Sequence, residues 1–195
     1  YCYELVTTPV NRGLGNNINK GQDAVKTPYT LYVQEDFVPT EIFFEKLKSA
    51  LLFITEKPEI DIVRFYAYFK FPYLKPYKDG FSEMVFKSWN IVASYRKFYF
   101  YSDHPHLRRS NFLQKFGRYA EGCSGDTTEY KMMMSFLKNK GRALYYDDFQ
   151  GLFDQVNSTE EPSTMKRNFW RESNSLPVRV IRHFYRHIRF NFDLH

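Results

Sequence analysis

Cysteine is nearly absent, with Cys2 and Cys123 the only two in 195 residues. Neither has a CxxC partner, which excludes the paired thiolates of a zinc ribbon or a thioredoxin-type redox motif. One disulfide in a secreted chain, or two free thiols in a reducing compartment, are both left open. Long apolar runs are missing too. The strongest, Ala50-Leu51-Leu52-Phe53-Ile54, falls far short of the ~20 residues that span a bilayer. Blocks of like charge are short, so any positive patch has to be assembled by folding. The phosphate-loop pattern is absent as well: Gly13-Leu14-Gly15 lacks the later glycine and the Lys-Ser/Thr that give such loops their chemistry.

What is abundant is aromatic side chain: 20 Phe and 16 Tyr bring the aromatic share to 19%. Each buried ring removes roughly 150–250 Å² from water. That supply exceeds what one core of this size needs, so part of it is expected on surfaces that partners cover. The net charge of +6 and a pI of about 9.1 favour an anionic neighbour. The 22 acidic residues dilute the excess, and dedicated nucleic-acid modules concentrate their charge more.

Read for periodicity, the chain predicts a mainly α fold, an irregular helical bundle of about six or seven helices. Residues 1–38, punctuated by Pro9, Gly13, Gly15, Gly21 and Pro28, read as an extended N-terminal arm with a short strand at Leu31–Val33. Residues 39–195 read as the helical domain. Within it, Phe43/Phe44, Leu47, Ala50/Leu51 and Ile54 give a first helix after Thr40. A second is expected over Glu59–Phe71, where aromatic and β-branched residues also fit a strand. Further stripes predict helices from Ser82, across Leu107–Gly122, from Asp126 to Gly141, and over Tyr145–Val156. Asp126 and Glu129 read as a capping pair. Past the polar stretch Asn157–Ser163 and a short segment at Met165–Arg171, Pro177 opens the last helix, to about Phe192.

That last helix carries the most informative pattern. At 100° per residue, Val180, Ile181, Phe184, Ile188 and Phe192 share one face. Arg179, Arg182, Arg186 and Arg189 share another, where neighbouring like charges repel. An anion or an acidic partner against this basic stripe accounts for it, since the guanidinium fork suits phosphate, lipid headgroup and carboxylate alike. A solvated face partly neutralised by the protein's own acids is the alternative. His183 and His187 have metal-sharing spacing, but Phe184 stands where a zinc protease needs Glu, and the arginines repel a cation. No metal and no cofactor is expected.

Other candidates read as structural. Asp103 beside His104-Pro105-His106 reads as a helix cap. Cys123 follows a helix C-terminus, the wrong pole for activating a thiolate. Asp147-Asp148 and Glu160-Glu161 are adjacent acids that do not face each other. Met132-Met133-Met134 reads as core filling. Lys70, Lys75, Lys78, Lys87, Arg96 and Lys97, interleaved with rings, could stack single-stranded RNA, although the rings' spacing points them inward.

No catalytic motif emerges, so the sequence predicts a binding protein and not an enzyme. Aromatic excess, basicity, the irregular arm and a start at Tyr1, which suggests a removed leader, together predict a non-catalytic accessory subunit of a large assembly. In composition the chain resembles the accessory subunits of respiratory complexes or ATP synthase, a likeness that no motif carries. It implies a mitochondrial location, on the matrix side or peripheral to the inner membrane. The expected partners are other protein subunits and an anionic lipid surface. A ribosome-associated or RNA-binding protein is the alternative, and a secreted helical binding protein with a Cys2–Cys123 bridge the second.

Overall fold

The computed structural model describes residues 4–87, 95–156 and 175–195. The fold is α/β and not mainly α: five helices stand with a six-stranded mixed sheet and a separate two-stranded sheet, among the described residues. The helices are α1 (Gly13–Ala24), α2 (Phe43–Glu56), α3 (Phe112–Phe116), α4 (Gly125–Lys138) and α5 (Leu176–Leu194). The strands are β1 (Tyr29–Tyr32), β2 (Phe37–Pro39), β3 (Ile62–Arg64), β4 (Leu74–Pro76), β5 (Phe81–Met84), β6 (His106–Arg109), β7 (Ala143–Tyr146) and β8 (Phe153–Gln155).

The main sheet has the order β1-β6-β3-β7-β5-β4. Only β3 and β7 pair in parallel, with Val63 opposite Leu144. Alternation along each strand sorts side chains to two faces. Val63, Leu107, Leu144 and Phe81 meet α2, which buries Phe43, Ala50, Phe53 and Ile54. Ile62, Ala143, Tyr145 and Met84 point the other way, into a core shared with Phe112 and Phe116 of α3 and Met132, Met133 and Phe136 of α4. Helices on both faces make this a three-layer α/β/α arrangement. The smaller sheet pairs Phe37 with Gln155 and Pro39 with Phe153.

The helical expectation fails wherever strands are short. Ring and aliphatic residues at β3, β5, β6 and β7 run only three or four residues per strand. Neighbouring strands and loops then supply the i+3 and i+4 apolar positions that mimic a helix face. Strands buried on both faces lose the polar alternation that would have distinguished them. Thus Glu59–Phe71 contains β3, the segment from Ser82 begins in β5, Leu107–Gly122 holds β6 and only a five-residue helix, and Tyr145–Val156 holds β7 and β8. Nor is the N-terminal stretch an extended arm throughout. Residues 13–24 are helical and Tyr29–Tyr32 is the edge strand of the main sheet. The expected helices at 43–56, 125–138 and 176–194 are present. The stretch Asn157–Ser163 and the segment Met165–Arg171 lie outside the described residues.

In α5 the helix is found but turned. Its buried side is His187 and Phe190, with Leu194 partly buried, packed on Phe98, Tyr99 and Tyr130. The apolar face Val180, Ile181, Phe184, Ile188 and Phe192 is exposed, with Ile188 at 70% and Phe192 at 82%.

Candidate functional site

β3 and β7 end side by side at Arg64 and Tyr146, and the segments that follow stay together through Ala67 N–H donating to the Phe149 carbonyl (2.9 Å). Open α/β sheets bind ligands outside the carboxyl ends of their parallel strands, where connections diverge to opposite faces. At this edge a cleft of about 840 Å³ opens. Tyr68 and Phe69 enter it from the segment after β3, Tyr95 and Tyr99 from a 3-10 turn at Tyr95–Phe98, Asp126, Glu129, Tyr130 and Met133 from α4. The remaining wall is α5, contributing Arg182, Tyr185, Arg186, Arg189 and Phe190.

Three arginines of the predicted stripe therefore come together here; the side chain of Arg179 lies outside the described part. Arg186 lies over the Tyr95 ring at 4.6 Å, and Arg189 over Tyr130 at 5.0 Å. Both contacts use the ring's negative face to hold the cation without neutralising it. Arg189 also stands 3.6 Å from Asp193, which accepts a hydrogen bond from the Tyr130 hydroxyl. Asp193 is the sole acid in α5.

Beneath this wall sits an acid pair. Asp103, buried in the segment before β6, shares a side-chain hydrogen bond with Glu129 of α4. Two carboxyl groups in such contact need a proton between them. Burial, then the charge of Asp103, pushes Glu129 up to about 8, with Arg64 opposing. Burial raises Asp103 as well. Arg64 itself is buried at the end of β3 and donates to the Tyr99 carbonyl (2.8 Å) and to Ser102 Oγ. Glu129 thus keeps its proton near neutral pH, shared with Asp103 at the base of the cleft.

Behind the floor the polar network is structural. Arg108 donates to Gln22 Oε1 at 2.9 Å and to the Tyr119 hydroxyl, which bonds to that of Tyr101, linking α1 to β6. His104 and His106 are held neutral: burial, then Arg64, lowers His104 to about 3, and burial with Arg108 drives His106 well below its usual range. From β8, Gln155 donates to Asp36 (2.8 Å) and to the hydroxyl of Tyr68 (3.0 Å), so the loop after β1 reaches the same edge.

Comparison with known proteins gives no match: no family model, no curated protein and no solved structure resembles the chain. The site is read from its geometry.

Several sequence candidates resolve differently. Asp103 caps no helix, and Ser124 is the N-cap of α4, accepting from Thr127 N–H. Glu129 stands a turn further in, where a cap is out of reach, and its pairing with Asp103, not a capping role, is what sequence reasoning missed. His183 and His187 have ring centroids 4.6 Å apart, one beside Tyr95 and the other buried against Phe98. Among the described residues no group of three or more His, Cys, Asp or Glu could hold a metal. The methionine run is core. Cys123 Sγ lies 3.2 Å from Thr128 Oγ1, while Cys2 lies outside the described residues. Gly15 packs against the Ala120 carbonyl and cradles no phosphate. The basic and aromatic segment Phe65–Phe100 spreads over several elements: Lys87 lies over Tyr73, Arg96 over Phe69, and Lys97 is buried. No helix among the described residues is long and apolar enough to cross a membrane.

Proposed function

We propose that the cleft binds an anionic small molecule with a planar body, a phosphorylated ring compound such as a nucleoside diphosphate, and that Glu129 moves a proton there. The observation that carries this reading is the turn of α5. Arg182, Arg186 and Arg189 line a tyrosine-walled cavity at the carboxyl edge of the parallel pair. Guanidinium groups recognise phosphate oxygens through paired donors, and tyrosine faces stack a planar ring. A carboxyl group whose pKa lies near neutrality can give or accept a proton in the working pH range. Group transfer or hydrolysis at a phosphorylated substrate uses those two parts together. This makes an enzyme a better reading than a passive subunit. The accessory-subunit reading, its mitochondrial setting and the secreted alternative keep only the support of composition and cysteine count, and the arginine stripe that supported RNA binding lines the cleft.

Calorimetric titration with nucleoside diphosphates, with and without Mg²⁺, tests the proposal. Binding is expected to weaken with salt, and Arg182→Gln with Arg186→Gln to lose about tenfold or more in affinity, as expected for charge-assisted hydrogen bonds. A folded wild-type protein that ignores both nucleotides and inorganic pyrophosphate at millimolar concentration overturns it.

A further inference from the structure

The outward face of α5 continues past the arginines, which stand between it and the cleft. Ile181, Phe184, Tyr185, Ile188 and Phe192 are each more than half exposed, with Ile181 and Tyr185 also forming the rim of the cleft. They cover an arc of about 100° along about 17 Å of helix, from 100° and 1.5 Å per residue. A soluble monomer rarely leaves so continuous an apolar strip in water. We infer that this strip seats the protein on an anionic lipid surface, with α5 lying in the plane of the headgroups.

Charge chooses among the possible occupants. Over Leu176–Leu194 the helix contains four arginines and one acid, Asp193, which pairs with Arg189 at 3.6 Å. Arg182 and Arg189 follow directly on the edge of the strip marked by Tyr185, and the Arg189 side chain is 52% exposed. A helix with Phe, Tyr and Ile on one face and arginine beside them is built for the headgroup boundary, where rings and aliphatics enter the acyl edge and guanidinium groups meet phosphate. An antiparallel pairing with a second copy of the chain is disfavoured, because its two-fold axis places each strip's flanking arginines against those of its mate. Partial insertion needs no spanning helix, in keeping with the absence of one among the described residues.

The experiment is co-sedimentation of the full chain with phosphatidylcholine vesicles, and with vesicles in which a third of the lipid is phosphatidylserine. Binding to the anionic vesicles is expected to exceed binding to neutral ones by about tenfold or more, and to fall with salt, since each basic residue near the surface adds attraction that ions screen. Phe184→Ser with Ile188→Ser should abolish sedimentation while leaving circular dichroism unchanged, because both side chains are exposed in the free protein. Arg189→Gln should weaken binding to the anionic vesicles and leave binding to neutral ones unchanged, and, because Arg189 also lines the cleft, should lower nucleotide affinity as well. Nucleotide titration on the Phe184→Ser, Ile188→Ser protein separates this inference from the cleft reading, since the cleft keeps its lining. Equal binding to both vesicle types, unchanged binding by the double variant, or a wild-type dimer that the double variant converts to monomer overturns the lipid assignment.

Discussion

Glu129 shows how one side chain's surroundings convert to a measurable pH dependence. Its ordinary value lies near 4.5 and the folded protein raises it to about 8. Between those two pH values the folded state holds a proton that the unfolded state has released. Stability therefore falls as pH rises through the window and levels off above it. Glu129→Gln keeps a hydrogen-bond donor toward Asp103 and has no proton to lose. The melting temperature of the wild type should drop more steeply from pH 5 to pH 8 than that of the variant, with the variant the more stable at pH 8. Parallel curves in scanning calorimetry would remove the acid pair. Gly15 makes a second case. A Cβ there would run into the backbone carbonyl of Ala120, which cannot swing aside as a side chain tip can. Gly15→Ala, ordinarily favourable inside a helix, should instead cost about 2 kcal/mol in chemical denaturation, a typical overpacking penalty.

At the scale of elements, α5 depends on a narrow strip of contacts. Phe190 packs edge-on to Phe98 at 5.1 Å and against Tyr130 at 5.2 Å. Phe190→Ala should destabilise the helix by about 3 kcal/mol and accelerate hydrogen exchange in residues 176–194 before the sheet responds. Much of α5 was legible in the sequence, including its start near Pro177 and its two-faced character. The hydrophobic pattern misleads about which side faces in, because His187 and Phe190 make the contacts that matter and the fuller apolar strip stays outside. α2 and α4 were legible for the ordinary reason that each runs 14 residues, long enough for a 3.6-residue period to declare itself. Strands of three or four residues carry no such period. The arginines of the cleft could be found because their spacing repels unless something answers it. Asp103 and Glu129 could not, since 26 positions separate them and only the packing of α4 on the sheet joins them.

For the whole molecule, the two apolar layers are unequal in kind. The α2 side is closed mainly by aliphatics and rings around Ile54, Ile60, Val63 and Leu144, with the partly buried Arg109 donating to the carbonyls of Ile54, Lys57 and Ile60 at its edge. The α4 side encloses Arg64, Asp103, His106 and Arg108, all buried. Buried charge left without its partner is costly, so the second layer should be the weaker. Arg108→Met removes the link between Gln22 and Tyr119, and is expected to loosen α1 first, detected as early proteolysis near residues 13–24 with the α2 layer intact.

The pairing of Val63 with Leu144 has a further consequence, in time. A ribosome releases β3 long before β7, and without β7 the strand has no neighbour on that side. Contacts between segments so distant in the chain form late and slowly. Nascent chains stalled before residue 143 should therefore stay open to protease across the whole sheet, and gain resistance in one step once Tyr146 has cleared the exit tunnel.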